Sequence, residues 1–200
     1  MNTLHEQPYP FRTLPDHLRR GLDLVFIGIN PGIYSVERGH YFARTTSRFW
    51  PAFSASKLSE PMRRALKVER LLPEHDRELV CFGIGLTDVI KRPSANASEL
   101  KPAEFEQWVP HLVEKLECYK PRVACFHGLT GFRPFLRYAL KSDRKPTLGA
   151  QPELIGATRL FVVPNPSPAN AHFTPKDQAE WYDRLAEFIA MRRARTRLIR

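Results

Sequence analysis

The sequence predicts an α/β domain with a mostly parallel sheet and helices on both faces. Three observations lead to this prediction: short apolar segments alternate with helical patterns, no internal repeat or low-complexity linker divides the chain, and two unusual loops each follow a strand. Its 200 residues can bury one sizeable core but not comfortably two. A single domain is therefore expected.

Four segments have the pattern of short buried strands. The first, Leu22–Gly28, is an almost continuous apolar run in which Asp23 is the only charged residue. Such a run is typical of a strand covered on both faces. The other three strands are predicted within Gly85–Ile90, at Arg122–His127 and at Arg159–Val163.

Three helices are predicted among and after these strands. Pro102 suits a first helical turn, and it precedes apolar residues at helical spacing: Phe105, Trp108, Val109, Leu112 and Leu116. Residues 129–140 form the second helix. The last helix begins in a capping-box-like segment, Thr174–Asp177, with Pro175 at its first position, and runs through Ile189.

Charge and cysteine usage narrow the class of protein. The net charge of +10 favours a polyanionic partner, nucleic acid first, because lysine and arginine displace counterions from phosphates. The three cysteines have no C-x-x-C spacing, which argues against a disulfide framework or a four-thiolate metal site. No apolar run reaches the length of a membrane span, and residues 1–20 lack a signal-peptide layout. A cytoplasmic location, associated with the nucleoid through DNA, is expected.

Two proline-containing loops follow the first and last predicted strands. They are Gly28–Gly32 (GINPG) and Pro164–Asn170 (PNPSPAN). In parallel sheets ligands bind beyond the carboxyl ends of the strands, so both loops should open onto one binding edge. Taken alone, GINPG favours a structural turn in which Asn30 bonds its own backbone over a ligand-binding loop. The two glycine-rich phosphate-binding patterns, GxGxxG and GxxxxGK followed by Ser or Thr, are both absent from the sequence.

Four blocks in order give the sequence a family resemblance. They are GINPG, Gly39–Trp50 (GHYFARTTSRFW), Gly83–Pro93 (GIGLTDVIKRP) and Val163–Asn170 (VPNPSPAN). Together they resemble the mismatch-specific uracil-DNA and thymine-DNA glycosylases, over roughly residues 22–190. The resemblance implies a three-layer α/β/α sandwich with a short, mostly parallel sheet, and neither a metal nor an organic cofactor.

The resemblance also implies roles for individual residues. Asn30 would position the water that attacks the sugar, and Phe42 would stack on a base flipped out of the duplex. The base-binding residues would be Ile29, Gly32, Ser35, Tyr41 and Phe42. Backbone N–H groups of residues 29–32 and 42 would bind the leaving pyrimidine as an anion. Ser35 leaves room for a substituent at C5 of the base and Tyr34 removes it, so the preferred lesion stays open. The block that includes Arg48 would mainly pack behind the pocket.

Asp88 departs from the family pattern. It stands where the resembling proteins carry an amide or a lysine, and a carboxylate there can activate water, which an asparagine does poorly. Asn30 and Asp88 are therefore the predicted catalytic residues. The alternative for Asp88 is a structural ion pair with Lys91 or Arg92.

The predicted DNA contacts lie in two segments. By resemblance, the loop after the last strand enters the minor groove through Asn165, Pro166, Ser167, Pro168, Ala169 and Asn170. Ala169 is smaller than the bulky wedge usual in such loops. Lys91 and Arg92 either contact phosphate or lie on a solvated face. His127 is expected to be a satisfied strand-end residue, and His172 a phosphate contact or a solvated loop residue.

These expectations combine into one function. The chain is predicted to be a monomeric, monofunctional glycosylase that hydrolytically excises uracil or a related damaged or mismatched pyrimidine from double-stranded DNA, in base excision repair. Its predicted parts are an N-terminal extension (1–20), a glycosylase domain (21–190) and a basic C-terminal tail (191–200). The alternatives are a lesion-binding protein of the same fold with little activity, and an unrelated nucleotide-binding domain. A glycosylase–lyase is disfavoured because no lysine is an obvious candidate for a Schiff-base nucleophile.

Overall fold

The computed structural model describes residues 9–198, with side chains described as far as Met191. Its five strands are β1 (Leu24–Gly28), β2 (Ile84–Asp88), β3 (Val123–His127), β4 (Gly149–Ile155) and β5 (Thr158–Val163). Its six α-helices are α1 (Ile33–Arg38), α2 (Phe49–Ala55), α3 (Glu60–Leu66), α4 (Pro102–Tyr119), α5 (Leu129–Leu140) and α6 (Pro175–Leu198). Short 3-10 turns connect several of them.

The strands form one sheet in the order β2-β1-β3-β5-β4. The pairs β2–β1, β1–β3 and β3–β5 are parallel, and β4 pairs antiparallel with β5 at the edge. The four predicted strands are confirmed with small shifts of their ends. β4 was not predicted, because Pro152 and polar residues interrupt its apolar pattern. In the structure its pairing with β5 is irregular between Ala150 and Leu154. Proline is tolerated in such edge strands at bulges.

Alternate residues of β1 enter cores on opposite faces of the sheet. Leu24 and Phe26 pack in the core that includes α2 and α6, whereas Val25 and Ile27 pack in the core that includes α4 and α5. This alternation follows from the two-residue period of a strand. The three-layer α/β/α fold is thereby confirmed.

The ends of the helices also follow the sequence. Helix α6 begins as predicted: the Thr174 backbone N–H donates to Asp177 Oδ2 at 2.7 Å, and the Asp177 N–H donates back to Thr174 Oγ1 at 3.2 Å. The same helix continues to Leu198, into the segment predicted as a basic tail. No helix in the described part of the chain combines the length and apolar character needed to cross a membrane.

The described part of the predicted N-terminal extension packs against the sheet. His17 exchanges backbone hydrogen bonds with Leu86 of β2 at 2.9 and 3.1 Å. Leu14 is buried, and Thr13 Oγ1 donates to the Lys91 carbonyl at 2.7 Å. This segment therefore lies along the outer edge of β2, close to the candidate site described next.

Candidate active site

The loops after β1, β2, β3 and β5 meet at the carboxyl edge of the sheet and enclose a cavity of about 820 Å³. The expectation that both proline-containing loops open onto one edge is confirmed. All predicted site residues except Lys91 and Arg92 line this cavity: Ile29, Asn30, Gly32, Ser35, Tyr41, Phe42, Asp88, Asn165, Pro166, Ser167, Pro168, Ala169 and Asn170. The roles of these residues stay predictions, but the fold brings their side chains to one place.

Asp88 lies at the inner end of this cavity, directly opposite Gly28. The two residues are partners in the parallel register of β1 and β2. A Cβ atom at position 28 would lie less than 3.0 Å from Asp88 Oδ1, so only glycine lets the carboxylate occupy this place. Asp88 Oδ2 is buried and has no hydrogen-bond partner among the described residues.

The surroundings of Asp88 weaken its acidity. Burial raises the pKa of Asp88 from 3.8 to about 6, the nearby Lys91 ammonium opposes the rise, and the Asp16 carboxylate adds to it. A carboxylate with this pKa is mostly ionised at pH 7 and can still accept a proton. That combination suits a general base.

Lys91 is buried rather than exposed. Its ammonium lies 2.9 Å from Asp16 Oδ1, 3.3 Å from the Tyr41 hydroxyl and 3.8 Å from Asp88 Oδ2. Its side chain is 2% exposed, so the prediction that Lys91 contacts phosphate is wrong, and the alternative of an ion pair with Asp88 is confirmed in part. Its principal partner is Asp16.

Asp16 organises the charges behind the cavity. Besides Lys91, it accepts hydrogen bonds from Thr87 Oγ1 at 2.7 Å and from the Lys115 ammonium. Burial tends to raise the pKa of Asp16, but the attraction of Lys91 and Lys115 outweighs it and lowers that pKa to about 2. No local sequence pattern pointed to Asp16, because its partners lie 71 to 99 residues away along the chain.

Asn30 is held by its amide nitrogen. Nδ2 donates to the Arg92 carbonyl and to Ser94 Oγ, both at 2.9 Å. Because a backbone carbonyl can only accept, the amide nitrogen must face it, and Oδ1 faces the other way. The side chain therefore presents a fixed acceptor oxygen in a residue that lines the cavity. The Arg92 side chain itself pairs with Glu104, so its predicted phosphate contact would have to compete with this ion pair.

Phe42 forms an aromatic wall of the cavity. Its ring stacks on Phe49 with centroids 4.1 Å apart and planes 15° from parallel, while its side chain stays partly exposed. Its φ of +55° is uncommon for a residue other than glycine, and such backbone conformations persist where the surroundings enforce them. Ser35 Oγ accepts a hydrogen bond from the Ala43 N–H at 3.2 Å and so fixes the neighbouring backbone.

Tyr41 supports this wall from behind. Its backbone N–H donates to Asp76 Oδ2 at 2.9 Å, and its carbonyl accepts from Trp50 Nε1 at 2.9 Å. The side chain is buried against Lys91, so Tyr41 contributes its hydroxyl to the polar cluster around Asp88. Asp76 is fully buried and was not singled out in the sequence.

The loop after β5 forms the outer rim. Asn165 Oδ1 accepts from the Ser167 N–H at 2.9 Å, and Asn170 Nδ2 donates to the Asn165 carbonyl at 3.1 Å. These bonds leave Pro168 and Ala169 exposed at the tip. The small side chain of Ala169 thus stands where an inserting residue would be expected.

Arg48 holds this loop to α2. Its backbone N–H donates to the Pro166 carbonyl at 3.0 Å, and its guanidinium donates to the carbonyls of Asn170, at 2.8 Å, and of Phe173. The block containing Arg48 therefore does more than pack behind the cavity, because Arg48 positions the rim. Both guanidinium bonds come from Nη1, while Nη2 lies 3.4 Å from the Pro168 carbonyl, so the planar guanidinium reaches three carbonyls of the loop at once.

His127 is buried with one ring nitrogen unpartnered among the described residues, so the prediction of a satisfied residue holds only in part, whereas His172 is exposed. His127 is buried, and its Nε2 lies 3.0 Å from the Tyr182 hydroxyl, while burial lowers its pKa to about 3. His127 lines the cavity as a neutral ring, and its Nδ1 has no partner among the described residues. His172 is exposed on the rim. No group of His, Cys, Asp and Glu side chains in the described part of the chain could hold a metal ion.

The cavity thus lies at the carboxyl edge of a parallel sheet and combines an aromatic wall with a buried carboxylate. Residues 15–187 match the family model of the uracil DNA glycosylase superfamily. The chain belongs to this superfamily, whose members are DNA glycosylases that act on DNA in repair.

A solved structure agrees with the fold. The chain is similar to a protein from Methanosarcina acetivorans, provisionally described as a uracil DNA glycosylase, whose solution NMR structure superposes with a TM-score of 0.52. The two share 21% sequence identity, and the similarity covers 85% of this chain and 92% of the other. At this identity the likeness speaks for the fold alone.

Proposed function

We propose that the chain is a monofunctional uracil-DNA glycosylase of the mismatch-specific type, which flips uracil or a related pyrimidine out of double-stranded DNA and hydrolyses its N-glycosidic bond. The observation that carries this proposal is the Asp88 carboxylate, buried in the cavity with an unpartnered Oδ2 and a pKa near 6. Superfamily membership and the net charge of +10 support DNA as the substrate.

The cavity fits an extruded pyrimidine. Phe42 offers the exposed face of its ring to the base, since Phe49 supports the other face. Base flipping makes the glycosidic bond accessible, which it is not inside the stack. Ile29, Gly32 and Ser35 line the cavity around the proposed base position, and their neighbouring backbone amides can stabilise the negative charge on the leaving pyrimidine.

The proposed reaction is a water attack on C1′ of the deoxyribose. The water oxygen bonds to C1′ while Asp88 Oδ2 accepts a proton from that water. The bond between C1′ and N1 of the base breaks at the same time. The base leaves with the bonding electrons and then takes up a proton. Asn30 Oδ1 orients the water, and the Asp88 charge also stabilises positive charge developing on the sugar.

The lysines support hydrolysis without strand cleavage. No lysine is among the described residues that line the cavity. Lys91, which lies beside Tyr41 and Asp88 of the cavity wall, is held by Asp16, and the Asp16 and Asp88 carboxylates raise its pKa despite burial. A protonated ammonium is not a nucleophile, so a Schiff base with the sugar is not part of the proposal.

The test is single-turnover incubation of excess enzyme with labelled oligonucleotides carrying U opposite G, U opposite A, T opposite G, or single-stranded U. We expect uracil release that becomes a strand break only after alkali. Asp88→Asn should slow excision by roughly 10²- to 10⁴-fold and keep DNA affinity. Asp143→Asn, an exposed carboxylate paired with Arg137, is the matched control. Binding of all four DNAs by the wild-type protein without base release would replace the proposal with the lesion-binding alternative.

A further inference from the structure

A second cavity of about 600 Å³ lies beside the base-binding cavity. The two share Phe42, Arg44 and Ser47 in their walls, so they form adjoining parts of one surface. We name it the arginine cavity, because Arg38, Arg44 and Arg70 line it together with His40.

The charge of the arginine cavity is strongly unbalanced. Glu74 is the one acidic residue in its described lining, against three guanidinium groups. None of the three arginines forms an ion pair with a described side chain, so their charges are not neutralised within the cavity. Arg38 instead lies over the Tyr34 ring, 5.3 Å from its centroid. A concave surface with several unpaired cations favours an anionic ligand.

His40 fixes one part of the cavity wall. Its Nδ1 lies 3.2 Å from Oδ1 of the fully buried Asp76, while the side chain itself is 26% exposed. Because the Asp76 carboxylate can only accept, Nδ1 carries the proton of this hydrogen bond, and the ring is held in one orientation. Asp76 also accepts from the Tyr41 N–H, next to Phe42, so one buried carboxylate supports both cavities.

From this arrangement we propose that the arginine cavity binds a backbone phosphodiester of the DNA strand that carries the extruded nucleotide. The inference rests on the proposed function, because the shared wall at Phe42 places the site next to the base. Guanidinium groups pair well with phosphate oxygens, in a geometry that gives position rather than sequence information. The cavity would thus hold the strand in register while the nucleotide is rotated outward.

The test compares two double variants of equal charge. Arg38→Ala/Arg70→Ala removes two exposed arginines that line the arginine cavity but not the base-binding cavity. Arg19→Ala/Arg20→Ala removes two exposed arginines from the segment leading into β1, at the opposite edge of the sheet. The probe is a duplex with non-cleavable 2′-fluoro-2′-deoxyuridine opposite G, titrated at several salt concentrations.

We expect the first variant to bind this probe about 10-fold more weakly at 0.1 M salt, with its salt slope reduced by about 0.9 for a lost phosphate contact. The control should keep affinity and slope close to wild type. A neutral methylphosphonate placed at single positions around the uridine should weaken wild-type binding at one position and leave the first variant unaffected there. A free-nucleotide site would show no such positional effect, so that result would overturn the proposal, as would equal losses in both variants.

Failure of this inference can be told apart from failure of the proposed function. Uracil release with no positional methylphosphonate effect would reject the phosphodiester site and leave the glycosylase intact. A positional effect without uracil release would keep the site and reject the activity.

Discussion

Asp88 Oδ2 lies 3.8 Å from the Lys91 ammonium, too far for a hydrogen bond and close enough for a strong electrostatic effect. Lys91 is instead bonded to Asp16 at 2.9 Å. The lysine therefore favours the ionised form of Asp88 without occupying its oxygen. The hydrogen-bonding capacity of Asp88 Oδ2 therefore stays unfilled among the described residues, and this relationship underlies the first three predictions.

The rate of excision should depend on pH through Asp88. A general base acts in its ionised form, so the single-turnover rate should fall as the pH drops below about 6 and level off above it. Rates measured from pH 4.5 to 8.5 test this. In Asp88→Asn the residual rate should lose this acid limb, and an unchanged limb in that variant would assign it to another group.

Asp88 should also make the folded protein less stable at neutral pH. Its folded pKa of about 6 exceeds the ordinary value of 3.8, so the folded state binds more protons between these values. The free energy of unfolding should therefore fall as pH rises through this window, by on the order of 3 kcal/mol from this group. Denaturant titrations of wild type and Asp88→Asn at pH 4, 5, 6 and 7 measure it. Parallel pH dependences in the two proteins would refute the assignment.

Asp16 should set the position of the acid limb. Its negative charge contributes to the raised pKa of Asp88, and it holds Lys91 away from that carboxylate. In Asp16→Asn the acid limb should move to lower pH. The charge at Asp16 that raises the pKa of Asp88 is gone, and Asp16 no longer competes with Asp88 for the Lys91 ammonium. The pH profile distinguishes this from a merely structural loss, which would lower the rate at every pH by one factor.

Ser94 should assist catalysis through Asn30. Ser94→Ala removes one of the two 2.9 Å acceptors of the Asn30 amide and leaves the Arg92 carbonyl. Loss of a single hydrogen bond costs about 1 kcal/mol, so the single-turnover rate should fall severalfold and the DNA affinity should change little. Ser94→Thr keeps the hydroxyl and is the control. A loss as large as that of Asn30→Ala would mean that Ser94 acts on the substrate directly.

Arg48 should control the rim loop. Arg48→Ala removes the donors to the Asn170 and Phe173 carbonyls, which frees residues 165–173 and should weaken binding to uracil-containing duplexes several-fold. Arg48→Lys should recover only part of the loss, since an ammonium lacks the planar guanidinium whose two nitrogens reach the Pro168, Asn170 and Phe173 carbonyls together. Fluorescence of 2-aminopurine placed beside the uracil reports base flipping. Full recovery by lysine would show that charge alone suffices.

Much of the fold was predictable, because β1, β2, β3 and β5 are apolar runs and helices α4 to α6 carry period or capping signals. Helices α1 to α3 and strand β4 lack such signals, and tertiary packing fixes them instead. Within the site, the family resemblance was enough to predict that Asp88, the last residue of β2, borders the cavity. The burial of Lys91 was not predictable, since it depends on Asp16, which arrives from a segment 75 residues earlier.

Because Gly28 and Asp88 lie in contact, the residue type allowed at one position depends on the residue at the other. Any side chain at position 28 would collide with the Asp88 carboxylate, and the backbone at Gly28 needs no left-handed conformation that would itself demand glycine. Asp88, in turn, can be exchanged without disturbing Gly28. Related sequences should therefore keep glycine at 28 wherever they carry aspartate at 88, and larger residues at 28 should occur only after 88 has become small.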